Sequence, residues 1–354
     1  MSNSTNKIDS LQALRAFSAT SVMLFHGTGI ISSHLNYVFL ENFFSAGFSG
    51  VDIFFVLSGF IIYYTSTSKK STVMAFLTKR LLRIYPVYWV VTLLLVFFYF
   101  LSPSLEQAHR GQLDVIWGSL LLLPQEFMVS GIAWTLSYEI IFYLMFALTF
   151  FRSPSLFVVT FSLWVVAILT AALLGFKIGV YELDALLNPV IINFAFGCFA
   201  AFLYKRYPTI KHWHWPIWSG AALFATSWLL THQDFIETGG PIRVLCFGLP
   251  SALFIYGVLY APVRVPRLLT HLGDASYSLY LLHGSVLSVL LKLVLKVKAD
   301  SYLDNFTGSL LLFVFTLLAS SIFYLLLEKP LTKTLYNRFA KRESNPPLKK
   351  VVPA

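Results

Sequence analysis

Charge is scarce in this sequence. Only 12% of its 354 residues are Asp, Glu, Lys or Arg, against roughly a quarter in a soluble domain, and 57% are hydrophobic. A chain so poor in charge cannot clothe a water-facing surface along most of its length. Cysteine is nearly absent as well. Cys198 and Cys246 both lie inside apolar runs, so they offer no pair suited to zinc and say nothing about redox compartment. There is no Walker loop, no HExxH and no GxSxG, which excludes the nucleotide-cradle, zincin and nucleophile-elbow chemistries. No metal is expected. The strict alternation of transmembrane barrel strands is missing. The first apolar run has no A-x-A-like site after it, so it is read as a retained helix, not a signal peptide.

What is present is long apolar runs, with a mean hydropathy of +0.73. Several reach the ~20 residues that cross a ~30 Å hydrocarbon core, and backbone groups in lipid must then be satisfied within helices. The expectation is an all-α, polytopic transmembrane helix bundle. Ten spans fall near 11–31, 48–66, 85–101, 132–151, 155–175, 186–204, 215–231, 243–261, 275–294 and 308–327. An eleventh run at 113–127 is short and contains Pro124. If it does not cross and the N-terminus is inside, only Arg110, Lys177, Arg243, Lys292, Lys296 and Lys298 of the 26 basic residues fall outside. Lys and Arg gather on the cytoplasmic side, so ten spans with both termini cytoplasmic is the better reading. Residues 1–330 then form one transmembrane domain and 331–354 a basic cytoplasmic tail. Its end, "KRESNPPLKKVVPA", is polar and proline-containing and reads as disordered. The net charge of +10 follows this topology, and without a DNA-binding pattern it does not point to nucleic acid.

Ionisable residues inside the spans are the functional candidates. Arg15 and His26 are eleven residues apart. On a helix that is within about 20° of three full turns, so the two share one face about 16 Å apart along the axis. Arg15 either snorkels to lipid phosphates or serves a site, and His26 either hydrogen-bonds in the bundle or does chemistry. In "AGFSGVDIFFVLSGF" (46–60), the glycines permit close helix approach, and Asp52 near the outer end either anchors the helix or takes part in chemistry. Lys79, Arg80 and Arg83 crowd the cytoplasmic mouth of the third span, as topology signals or as a site for a nucleotide phosphate. Glu139, in "AWTLSYEIIFY", lies two turns into a helix that begins at the outer face, near the depth of His26. His283 lies near mid-membrane in "GDASYSLYLLHGSVL".

Together these residues resemble the acyltransferase-3 family of integral membrane acyltransferases, from Ile8 to about Pro330. Arg15 and His26 meet its Arg, ten residues, His hallmark. "GVDIFFVLSGF" resembles its second-helix motif, and Arg80-Leu81-Leu82-Arg83 its RxxR. "WTLSYE" is similar to its W-[ST]-L-[ST]-x-E, with Glu139 at the acidic position, and "SYSLYLLH" and "EKP" to its late motifs, placing His283 and Glu328. The resemblance implies transfer of an acetyl or other short acyl group from cytoplasmic acyl-CoA to a hydroxyl of a cell-surface or lipid-linked glycan. The membrane would be a bacterial plasma (inner) membrane, and similarity to bacterial exopolysaccharide O-acetyltransferases points to polysaccharide modification. On that reading His26 is general base or transient acyl carrier, with Asp52 or Glu139 orienting its ring. Arg15, Lys79, Arg80 and Arg83 meet the CoA, and His283, Trp134 and Tyr138 meet substrate. No esterase-like C-terminal extension is seen, so a stand-alone transferase is expected. The rival is a transporter or flippase for a lipid-linked sugar or small anion, which buried Arg, His and carboxylates also suit. Such a protein built on inverted repeats should show halves of related hydropathy, and none are evident.

Overall fold

The structure, a computed structural model, describes residues 2–68, 71–101, 111–236 and 239–344. Among these there is no strand. The chain runs through α1 (Ser2–Ser32), α2 (Gly50–Ser68), α3 (Val73–Leu101), α4 (Leu113–Leu121), α5 (Trp134–Phe150), α6 (Pro154–Leu174), α7 (Tyr181–Asp184) and α8 (Ile192–Arg206). It continues through α9 (His214–His232), α10 (Gly240–Arg243), α11 (Leu249–Val258), α12 (Arg267–Asp274), α13 (Ser276–Lys296), α14 (Asp300–Leu303), α15 (Phe306–Phe323) and α16 (Lys329–Ser344). Single π turns at Val244–Gly248 and Tyr324–Glu328 join α10 to α11 and α15 to α16.

Every one of the ten apolar runs is helical. By length and composition, six stretches among the described residues are able to cross a bilayer: Phe39–Ser68, Val73–Leu101, Pro154–Leu174, Gly240–Val258, Ser276–Lys296 and Phe306–Phe339. A seventh is counted if Tyr181–Leu187 and Pro189–Arg206, bent by 43°, are one span. α5 is shorter, at 17 residues. α1 is long enough, but its polar residues dilute it because it lies inside the bundle, packed on α2, α12, α13 and α15. Its Ser18, Ser21 and Thr28 are buried, and the hydroxyls of Ser18 and Thr28 donate to backbone carbonyls one turn back.

Contacts between connecting segments show which ends lie together. At one end Gln12 bonds Asp274, the Tyr260 hydroxyl meets the Tyr207 carbonyl, and the Tyr336 hydroxyl donates to the Lys79 carbonyl. At the other end Asn36 reaches Asp304 and the Trp228 indole donates to the Phe43 carbonyl. This pairing is the one expected if 113–127 does not cross. α4, nine residues and about 14 Å long, is too short to span. It runs inward beside α3 until Tyr85, Tyr88 and Trp89 bond the carbonyls of Leu121, Ser119 and Leu120. Leu122, in the left-handed region at φ 54°, then reverses the chain. By Val129 it is back beside Tyr99, near the end of α3 from which it came. The Ser119 hydroxyl and Gln125 tie the two arms together.

Helix contacts are closest where the glycines stand. A Cβ on Gly59 would lie 2.2 Å from the Phe194 carbonyl oxygen, and one on Gly197 would lie 2.0 Å from that of Val56. α2 and α8 therefore touch backbone to backbone, and the Cys198 thiol fills the seam against the Gly59 carbonyl. Past Pro330 the chain stays helical to Ser344, and α16 lies against α3. Residues 345–354 of the tail, with Lys69, Lys70 and Arg110 of the charge argument, lie outside the described residues.

Candidate active site

α1, α2, α3, α5 and α13 line a partly open cavity of about 70 Å³. Its wall carries two guanidinium groups, Arg15 and Arg83, and one carboxylate, Glu139, among Ser58, Thr135, Ser276, Tyr277 and Tyr280. Arg15 donates to the Ser276 hydroxyl (2.9 Å) and the Gly273 carbonyl (3.4 Å), so it is directed onto the start of α13 instead of out to lipid. Glu139 accepts from Ser58 (2.8 Å) and from the Tyr143 hydroxyl one turn along α5. Glu328, carried out of the π turn, accepts from the Ser278 N–H and hydroxyl and so places an anion on the first turn of α13.

Eleven residues beyond Arg15, His26 faces the same helix. Its ring lies 5.4 Å from that of His283, two turns along α13 from Ser276. Arg15 and His26 thus share the face their spacing predicts. His26 is exposed, whereas His283 is 1% exposed and sits behind it, not on a cavity wall. As a direct contact to substrate His283 is out of reach in this arrangement.

Two other expectations need correction. Glu139 does not meet His26; it shares the cavity with Arg15 and Arg83, toward the Lys79 end. One turn earlier on α5, Thr135 lines the same cavity, and its hydroxyl bonds that of Tyr280 (2.7 Å). The reason is the fold-back of 113–133. Val129 and Ala133 are fully buried, so α5 begins inside the bundle and not at its surface. Asp52 does not orient His26 either. Its carboxylate is fully buried and takes both Nε (3.0 Å) and Nη2 (2.9 Å) of Arg243, plus the Asn193 amide (2.7 Å). A guanidinium fork claims both its oxygens, which makes Asp52 the tie between α2, α8 and α10. Tyr138 lies apart from this cavity, in a cleft of about 480 Å³ beside Tyr181 and Asn188, with Trp134 edge-on to it.

The cations of α3 divide. Arg83 enters the cavity, while Arg80 is held outside it by Thr65 (3.3 Å) and the rings of Phe76 and Tyr143. Lys79 is exposed, its ammonium over Phe339 of α16. Arg243, Tyr143 and Tyr280 went unnoticed in the sequence. Tyr143 stands four residues after Glu139, a spacing that places it within reach, but nothing local marks Arg243 as a partner for a residue 191 positions away. Among the described residues no group of His, Cys, Asp and Glu could hold a metal.

A helical bundle with stretches able to cross a bilayer, and an Arg/Glu cavity beside a histidine pair, is the architecture of a multi-pass membrane protein. The sequence says which kind: residues 8–325 match the acyltransferase-3 family, described as an acyltransferase domain, and the chain belongs to that family. It is 32% identical over 332 residues to the exopolysaccharide production protein ExoZ of Rhizobium meliloti, covering 88% of this chain and 95% of that one. Acyltransferase MdmB of Streptomyces mycarofaciens is 25% identical, over 79% of each chain. O-acetyltransferase OatA of Staphylococcus aureus is 26% identical, over 93% of this chain but 58% of its own length. No solved structure matches.

Proposed function

We propose that this acyltransferase moves an acetyl or other short acyl group from cytoplasmic acyl-CoA to a hydroxyl of a lipid-linked or cell-surface glycan, in a bacterial plasma membrane crossed by ten spans. The observation that carries the reading is the layout along α1. Arg15 lies in a cavity with Arg83 and Glu139, and His26 stands on the same face further in. Paired guanidinium groups suit phosphate, which is the anionic part of an acyl-CoA. Arg80 and Lys79 at the same mouth add attraction for it. Family membership favours transfer over transport of a lipid-linked sugar.

The histidine then acts in one of two ways. As general base, His26 takes the proton of the acceptor hydroxyl while its oxygen attacks the acyl carbon; the C–O bond forms, the C–S bond breaks and CoA leaves as the thiolate. As nucleophile, a ring nitrogen attacks the acyl carbon and CoA leaves as the thiolate; the acceptor hydroxyl then attacks the acyl-imidazole, the C–N bond breaks and the hydroxyl proton returns to the ring. Glu139, beside Arg15 and Arg83, balances the cavity's charge when it is empty. Tyr138 and Trp134, with Tyr181 in the neighbouring cleft, hold more distant sugars of the acceptor through their ring faces.

The test is incubation of purified protein with radiolabelled acetyl-CoA and lipid-linked glycans. Label on the glycan supports the reading, and label on neither glycan nor protein opposes it. Rapid quenching followed by mass spectrometry of the His26 peptide separates the two versions, because only the nucleophilic one leaves an acyl adduct.

A further inference from the structure

His283 has one committed nitrogen and one without a partner. Nδ1 lies 2.8 Å from the Tyr280 carbonyl oxygen and 3.2 Å from that of Leu279. Carbonyl oxygens only accept, so Nδ1 carries the hydrogen and Nε2 of the neutral ring is left as a bare acceptor. Nε2 is buried and has no hydrogen-bond partner among the described residues. The Tyr280 hydroxyl does not serve it, being taken by the Ile132 carbonyl (3.0 Å) and Thr135 (2.7 Å). A buried acceptor left unmatched is costly, which calls for a donor.

The ring that can supply one is His26. The two ring centres are 5.4 Å apart at an interplanar angle of 30°, a stacked approach in which Nε2 is still unpaired, and a turn of the exposed His26 ring about its Cβ–Cγ bond would bring one of its nitrogens toward Nε2. The approach is fixed by packing. At Gly27, beside His26, a Cβ would lie 2.3 Å from Phe313 and 3.1 Å from Leu287, so α1 is seated closely on α13 and α15 at this turn.

We propose that His283 is the positioning residue of His26. With the His26 ring turned toward it, Nε2 accepts a hydrogen bond from one N–H of that ring, which fixes the tautomer so that the opposite nitrogen presents its lone pair on the open side. The role that carboxylates play for many catalytic histidines is filled here by a second, neutral imidazole, since Asp52 is held by Arg243 and Glu139 lies in the cavity below. This inference rests on the reading of His26 as the reacting group.

Asn and Gln variants separate the two nitrogens. His283→Gln places an amide oxygen near the Nε2 position and restores the acceptor. His283→Asn keeps a donor near Nδ1 and has nothing at Nε2, and His283→Phe fills the space without any acceptor. The expected result is a kcat lowered by about 10- to 100-fold in Asn and Phe, as for other residues that orient an active group, with KM for acyl-CoA unchanged and Gln within a few-fold of wild type. In a His26→Ala background the His283 variants should cost nothing more. A second readout needs no transfer: the rate at which diethyl pyrocarbonate modifies His26, followed on its peptide, should fall in Asn and Phe and recover in Gln. If Phe retains activity and His26 reactivity best, His283 is packing and the inference is overturned. If the reactivity order holds in a protein that transfers no acyl group, the inference stands and the functional reading fails.

Discussion

Replacing Asp52 by Asn should unfold the protein far more readily than it disturbs the chemistry. The substitution keeps the side chain's shape and its contact to Asn193, but removes the charge that Arg243 grips at 2.9 and 3.0 Å. Asp52 is fully buried and the Arg243 side chain is 16% exposed, so little water reaches the pair. Removing one member of such a pair leaves the other charge stranded and costs about 3–5 kcal/mol. Against a total stability of about 5–15 kcal/mol, that is a large fraction. Arg243→Met should cost as much for the mirror reason. The double variant Asp52→Leu/Arg243→Met strands nothing and should recover most of the loss. The assay is heating of detergent-solubilised protein followed by size-exclusion chromatography, with transfer activity measured per folded molecule. Single variants that melt like wild type yet lose transfer would refute the assignment of Asp52 to structure and return it to the reaction.

Further outcomes follow from the same geometry. Arg83→Gln removes a guanidinium from the cavity wall, where charge-assisted bonds are worth roughly 1.5–3 kcal/mol, so KM for acyl-CoA should rise about ten- to a hundredfold and be partly overcome by excess donor; unchanged KM with poor insertion would leave Arg83 a topology signal. Gly59→Val puts a side chain against the Phe194 carbonyl and should lower thermal stability by about 1–3 kcal/mol or more, whereas a variant as stable as wild type would mean that α2 and α8 are not in backbone contact. Cysteines introduced at Lys211 and in the tail should resist an impermeant reagent in intact cells, and labelling from outside would place these segments on the other face.

The helices were legible because apolar runs of span length leave the backbone no alternative to helix: the ten runs fall on helices, of which six or seven among the described residues are long and apolar enough to cross a bilayer. The Arg15–His26 face was legible because both residues sit on one helix, where spacing alone fixes direction. Depth was not. Glu139 was misplaced because the fold-back of 113–133 sinks the start of α5, and that depends on Ser119, Gln125 and Val129 meeting one another. Asp52 was misread for a related reason: its partner lies in another helix, and charge counting assigns Arg243 to an outer loop.

The proposed chemistry turns on His26 carrying out acyl transfer. Label transfer from radiolabelled acetyl-CoA to glycan, compared between wild type and a folded His26→Ala variant at saturating donor, tests it most directly. The wild type should transfer label, and His26→Ala should transfer none above background at any donor concentration. Near-wild-type transfer by a well-folded His26→Ala protein would contradict it.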